Sequence, residues 1–262
     1  MHLVETQVDD GVMTITLVDE QRRNSLSRQL LNELVAALDV VDHDDAVRVA
    51  VLTNRGSVFC AGANLAERSS GPKDDDDSAV QLGTLFQKIR QSPKPFVGRI
   101  SGHCVAGGVG LAAVMDISIA LDTALFGFTE VRVGAVPAVI SVVCLPKMRR
   151  ADAQSAFLRG NRFSATDAAE MGLINMAVPA DRLDAEVEAA LNDLLAGNPR
   201  AIAIAKQLAT HEGSTPLEVS FERMTKLSNE LFESDDAHEG MAAYLEKRPA
   251  SWVRTVSRKE SD

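Results

Sequence analysis

The chain is poor in cysteine and lacks any spacing that would hold a metal. Cys60, Cys104 and Cys144 are odd in number, widely spaced and set among apolar residues. That is the pattern of small buried hydrophobes in a reducing compartment, and it excludes a disulfide framework. The five histidines form no H-x-x-x-H pair and no Cys/His cluster, so no metal site is expected. Long apolar runs are missing too. No stretch approaches the roughly 20 residues that span a bilayer, and the N-terminus carries a hairpin pattern in place of a basic and apolar signal. The expected location is the cytoplasm, without membrane contact. Positive charge is in deficit: 27 Lys and Arg stand against 37 Asp and Glu, a net charge of −10. Such a balance argues against nucleic acid as a partner but leaves room for a local basic pocket around an anionic ligand.

What is present is ordinary in bulk and informative in order. A length of 262 residues buries one full core, with or without an appendage, and 45% hydrophobic with 24% charged residues is usual for a globular protein. Leu3–Val8 and Val12–Val18 flank Asp9-Asp10-Gly11 and read as a β-hairpin. Asn24-Ser25-Leu26-Ser27 supplies cap candidates before a helical stripe of Leu26, Leu30, Leu31, Leu34, Leu38 and Val41. Val47–Leu52 reads as a strand covered on both faces. Four successive aspartates, Asp74–Asp77, mark a solvated loop between Ala66 and Ser78. A helix over Val80–Gln91 stops at Pro93 and Pro95, and strands follow at Phe96–Ile100 and Ile117–Leu121. Pro137 reads as the first residue of a helix over Ala138–Leu145. From Asp152 onward the pattern is mostly helical, with a capping-box start at Ser164-Ala165-Thr166-Asp167 and later helices about Pro216–Phe232 and Asp236–Leu245. The fold class is therefore α/β, with a core over 1–197 and a helical C-terminal region over 198–262. There is no internal sequence repeat, and periodicity alone allows a doubly wound sheet.

The chemistry concentrates between Gly98 and Ser141. Gly107 and Gly108 follow a short apolar run and open a helix-like segment, where backbone amides can be approached closely. Glu130 is the one nearby carboxylate without an obvious partner, and Cys60-Ala61-Gly62-Ala63-Asn64 forms a second glycine turn upstream. Two backbone donors and one glutamate are the parts needed to stabilise an oxyanion and move a proton. On the residues alone, the glycines could equally be tight turns or close packing. Glu130 could pair with Arg132 if Thr129–Arg132 were extended.

CAGANL at Cys60–Leu65, SGHCVAGGVGLA at Ser101–Ala112 and FGFTEVRVGAVPA at Phe126–Ala138 together resemble the crotonase superfamily, the enoyl-CoA hydratases and isomerases. The resemblance implies a core spiral of ββα turns with a helical C-terminal appendage, and an acyl-CoA substrate with no separate cofactor, coenzyme A being part of the substrate. It places the oxyanion donors on the amides of Ala63 and Gly107 and the acid/base on Glu130. Coenzyme A would run along Leu26, Ala61, Ala63, Asn64 and Leu65, with Arg22 and Arg23 near its phosphates and Lys247 reaching it across a subunit boundary in a homotrimer or hexamer. Two positions depart from the family pattern. Asn64 stands where Asp is common, and Gly110 stands where well-studied hydratases carry a second catalytic glutamate. The local string around Gly110 and Glu130 resembles single-glutamate hydratases acting on methylglutaconyl-type enoyl-CoAs, which favours hydration of a 2-enoyl-CoA. Δ3-Δ2-enoyl-CoA isomerisation, a thioester hydrolase and a non-catalytic acyl-CoA-binding protein remain alternatives.

Overall fold

A computed structural model describes residues 2–65, 67, 78–197, 199–210, 217–233 and 235–248. The aspartate run at 74–77 lies outside the described residues. β1 (Val4–Asp9) and β2 (Val12–Leu17) form the expected antiparallel hairpin. Its turn residues Asp10 and Gly11 both have positive φ, 45° and 83°, as a tight hairpin turn with the right-handed strand twist requires. Met13, Ile15 and Leu17 point inward. α1 (Arg28–His43) starts at Ser27, whose side chain accepts from the Leu30 amide, and it buries Leu30, Leu31, Leu34, Leu38 and Val41. Leu26 does not join this helix; it forms an isolated parallel bridge with Ala63.

The middle of the chain repeats one move. β3 (Val49–Asn54) enters a first sheet, β4 (Val58–Cys60) a second, and α2 (Ser78–Gln91) follows. β5 (Phe96–Ile100), β6 (His103–Val105) and α3 (Gly107–Val114) do the same. So do β7 (Ile117–Leu121) and β8 (Leu125–Gly127), followed by a 3-10 helix over Thr129–Val133 and α4 (Ala138–Cys144). The result is a six-stranded sheet, β1-β2-β3-β5-β7-β10, beside a four-stranded one, β4-β6-β8-β9. The chain is thus a ββα spiral and not a doubly wound sheet. The corner at Arg55-Gly56-Ser57, with Gly56 at φ 76°, diverts the first pass from one sheet into the other, and the short links at 101–102 and 122–124 do the same for the next two.

α5 (Arg150–Arg159), β9 (Arg162–Ser164), α6 (Ala165–Glu170) and the edge strand β10 (Met176–Val178) complete the sheets. The Ser164–Asp167 capping box forms as expected. β3 is buried along its whole length: Ala50 and Leu52 face the main core, and Val49 and Val51 face α7 (Leu183–Ala196) through Leu183 and Val187. Two local expectations are corrected. Thr129–Val133 is a 3-10 helix, so Glu130 and Arg132 do not share a strand face. Pro137 is the residue before α4 and not its first.

The C-terminal helices α8 (Pro199–Thr210), α9 (Leu217–Phe232) and α10 (Asp235–Leu245) pack back on this core. Lys206 of α8 ties them down. Its Nζ donates to the carbonyls of Ile89 (2.7 Å) and Lys94 (2.9 Å) and pairs with Asp116 at 2.9 Å. Burial pulls the amine's pKa down, while Asp116 opposes that shift. The same carboxylate oxygen accepts from the Phe96 amide at 2.7 Å. Lys206→Met keeps the stem and removes the charge, leaving a largely buried carboxylate unpaired. It should cost about 3 kcal/mol in chemical denaturation, and a loss below about 1 kcal/mol would show that the pair does not hold the helices.

Candidate active site

The second sheet orders the site. Its parallel strands β4, β6 and β8 lie side by side, and their C-terminal ends lead into Ala61–Leu65, Ala106-Gly107 and Thr129-Glu130. Neighbouring strands are about 4.8 Å apart, so the three segments reach one edge within a few ångströms of one another. They line a cavity of about 600 Å³. Arg22, Arg23 and Leu26 reach it from the turn before α1, and Phe232, Tyr244 and Leu245 from the C-terminal helices. Every residue expected at the site lines this cavity except Lys247, which lies two residues past the end of α10.

The first two segments meet through backbone. The Leu26 amide donates to the Gly62 carbonyl at 2.8 Å, and the Ala61 amide to the Arg23 carbonyl at 3.1 Å. Gly62 has φ 82°, and a Cβ there would lie 2.9 Å from the Gly107 nitrogen and 2.8 Å from the Val105 carbonyl oxygen. A Cβ on Gly108 would lie 2.1 Å from the Cys60 carbonyl oxygen. Gly107 is less confined than its neighbour: its Cβ would meet the tip of Leu26 at 2.8 Å, a side chain that can swing away. The close-approach glycines are thus Gly62 and Gly108. Among the described residues, the amides of Ala63 and Gly107 donate to no backbone carbonyl.

Two features of this corner escaped the sequence. Ala106, just before α3, holds φ 50° and ψ −120°, a conformation costly for a residue with a Cβ and typical of functional sites. It fixes the direction of the Gly107 amide plane. Asn24, fully buried, donates to the carbonyls of Arg55 (3.2 Å) and Val58 (2.8 Å), pinning the Arg22–Leu26 turn to β4. It is a staple between turns; the helix cap is Ser27.

Glu130 sits at the start of the 3-10 helix, only 8% exposed, and its Oε2 has no hydrogen-bond partner among the described residues. Burial pushes its pKa up to about 7. Arg132 turns away and donates to the Arg159 carbonyl at 2.9 Å, so the pair considered from sequence does not form. Among the described residues lining the cavity Glu130 is the sole carboxylate, against Arg22, Arg23, Arg132 and Arg162. Asn64 donates to Glu67 at 2.8 Å. The place of a second glutamate is packed shut: a Cβ on Gly110 would lie 2.5 Å from Ile140 Cγ2 and 2.9 Å from Phe86 Cζ. Cys60 is buried beneath the turn with its thiol pushed up to about 12 by desolvation, so it stays neutral.

An apolar cavity edge with two unpaired amides and one desolvated carboxylate can hold a carbonyl oxygen as it gains charge and move a proton beside it. Comparison with known proteins agrees with that chemistry. The family model described as Enoyl-CoA hydratase/isomerase matches residues 7–255, and the chain belongs to this family. A crystal structure of an enoyl-CoA hydratase from Mycobacterium avium is 36% identical, with a TM-score of 0.85 over 96% of this chain and 99% of its own. An enoyl-CoA hydratase of Mycobacterium tuberculosis is 30% identical over 242 residues, 90% of this chain and 91% of that protein. A 1,2-epoxyphenylacetyl-CoA isomerase of Escherichia coli is 31% identical over 255 residues, 95% and 97% of the two chains. The crotonase-like spiral implied by the three motif blocks is thereby borne out.

Glu130 also carries a stability signature. Its pKa is near 4.5 when exposed and about 7 when folded, so the protonated form favours the fold. That favour is complete below pH 4.5 and is lost as pH rises through 7. Glu130→Gln removes the titration and should be more stable than the parent above pH 8, by about 3 kcal/mol at ~1.4 kcal/mol per pH unit between the two values. Near pH 4 the two should coincide. Equal stability across that range in thermal melts would place Glu130 in a wetter environment.

Proposed function

We propose that the protein is an enoyl-CoA hydratase that adds water syn across a 2-enoyl-CoA thioester with one glutamate. The observation that carries the reading is the desolvated Glu130 carboxylate, its Oε2 without a partner among the described residues, in the same cavity as the Ala63 and Gly107 amides, which donate to no backbone carbonyl there. Glu130 takes a proton from water as the water oxygen bonds to C3. The C2=C3 electrons shift toward the thioester, and the resulting enolate oxygen is held by the two amides. Glu130 then returns the proton to C2 on the same face. Each amide donor is worth roughly 10²–10³-fold in rate where such donors have been removed in other enzymes. Coenzyme A lies along Leu26, Ala61, Asn64 and Leu65 with its phosphates toward Arg22 and Arg23. Lys247, exposed just past the end of α10, meets it from a neighbouring subunit of a trimer-based assembly.

One observation favours a second reading. With Ile140 and Phe86 filling the space beside Gly110, no second carboxylate holds the water, and a single base moving a proton between C2 and C4 would make the enzyme a Δ3-Δ2-enoyl-CoA isomerase. A protein that binds acyl-CoA without turnover is the reading from another class. Glu130→Gln decides among them. It should lower kcat at least ~10²-fold while acyl-CoA affinity changes little. In the parent, kcat/KM should fall on the acid side of about pH 7, where burial sets the Glu130 pKa. Hydration of crotonyl-CoA supports the first reading and conversion of a 3-enoyl-CoA without hydration the second. A fully active Glu130→Gln removes Glu130 as the base.

A further inference from the structure

One wall of the cavity is built by the chain's own last helix, and a single glycine fixes how close that helix comes. In α10, Ala237, Gly240 and Met241 are buried and share one face with Tyr244, at the i, i+3, i+4, i+7 spacing. A Cβ built on Gly240 would lie 2.2 Å from both the carbonyl carbon and oxygen of Val133, and 2.4 Å from its Cα. The helix backbone therefore rests directly on the backbone of Val133, the last residue of the 3-10 helix that carries Glu130. One turn beyond this seat, Tyr244 and Leu245 line the cavity while remaining 58% and 49% exposed, which places them at its mouth. The end of the helix is held by Arg248, which donates to Glu239 at 2.8 Å and to Glu246 at 2.6 Å.

We propose that Gly240 is a specificity-determining residue: by seating α10 on Val133 it sets the gap between Glu130 and the Tyr244–Leu245 wall, and so the length of apolar acyl chain the cavity accepts. Packed backbone does not compress, so one added methyl must lift the helix by roughly 1 Å to reach an ordinary contact distance. That is close to the advance of one methylene along an alkyl chain. Val133, Val136 and Leu245 are all apolar parts of the cavity lining, which suits a hydrocarbon and not a charged group. This rests on the acyl-CoA reading above but not on any particular reaction.

The test is binding without turnover. Affinities of saturated butyryl-, hexanoyl-, octanoyl- and decanoyl-CoA are measured by calorimetry for the parent, Gly240→Ala and the double variant Tyr244→Ala/Leu245→Ala. In the parent, affinity should stop improving past one chain length. Gly240→Ala should move that limit to a longer chain and raise the preference for decanoyl- over butyryl-CoA about tenfold, a methylene-sized change in an apolar pocket. The double variant, with the seat intact, should shift it in the same direction, and it decides the matter if Gly240→Ala does not fold. An unchanged chain-length profile, or a uniform loss of affinity at every length, overturns the proposal alone. A parent that binds no acyl-CoA removes the acyl-CoA reading and this proposal with it.

Discussion

The site depends on backbone touching backbone where the ends of β4 and β6 meet. Gly62 and Gly108 leave no room for a side chain, the nearest atoms being the Val105 and Cys60 carbonyl oxygens and the Gly107 nitrogen. This contact brings the Ala63 and Gly107 amides to one edge, where neither meets a backbone carbonyl among the described residues. Gly107 is buried and Ala63 half-buried; an unpaired amide is costly to the extent that it is kept from water, and Ala106 adds backbone strain beside them. These costs are borne by the surrounding frame: the Asn24 staple to Arg55 and Val58, the Leu26–Gly62 hydrogen bond and the packed spiral beneath. Under the proposed function, preorganisation of this kind aims the donors before a ligand arrives, so they need not reorient as charge develops.

Glu130 is the second constraint, and it is set by what is absent around it. Arg132 could have neutralised it but is committed to the Arg159 carbonyl at the C-terminal end of α5, where a cation also suits the helix dipole. Desolvation then acts nearly unopposed, and the carboxylate is poised near neutrality. The packing at Gly110 has the same effect from the other side. Ile140 and Phe86 occupy the volume that a side chain at Gly110 would need, so this position is packed shut and is not an open gap. Reintroducing a carboxylate there would require Ile140 to move.

What the sequence disclosed was what is decided locally. The Asp10-Gly11 turn, the Ser164 capping box and the apolar β3 follow from residue types whose conformational preferences act within a few positions. The motif blocks at 60–65, 101–112 and 126–138 marked the cavity because the sheet delivers their strand ends to one edge. What stayed hidden depended on partners far along the chain. Asn24 reads as a cap until Val58, 34 residues away, is seen to take its hydrogen bond. Close approach is legible at the Gly107–Gly108 pair, but not that Cys60 is what Gly108 meets, and Gly240 reads as a helix residue whose need for hydrogen in place of a side chain comes from Val133. The 3-10 helix around Glu130 has too few residues to show a period. The division into two sheets turns on three short links, at 55–57, 101–102 and 122–124, too short to carry a pattern of their own.

The charge distribution links the whole molecule to its cavity. The chain carries −10 overall, yet among the described residues four arginines and one glutamate line the cavity. Arg132 is held by a carbonyl and Arg22 lies 3.8 Å from Asp19, whereas Arg23 and Arg162 have no acidic partner among the described residues. An acidic exterior discourages an anion everywhere else, and a low-dielectric cleft concentrates the field of the arginines at its mouth. Screening over about 10 Å at moderate salt confines that attraction to the entrance. An anion approaching the molecule would meet a positive field at the mouth of the cleft and apolar walls within it. Beside Glu130 and the two amides the low dielectric makes each electrostatic interaction count for more.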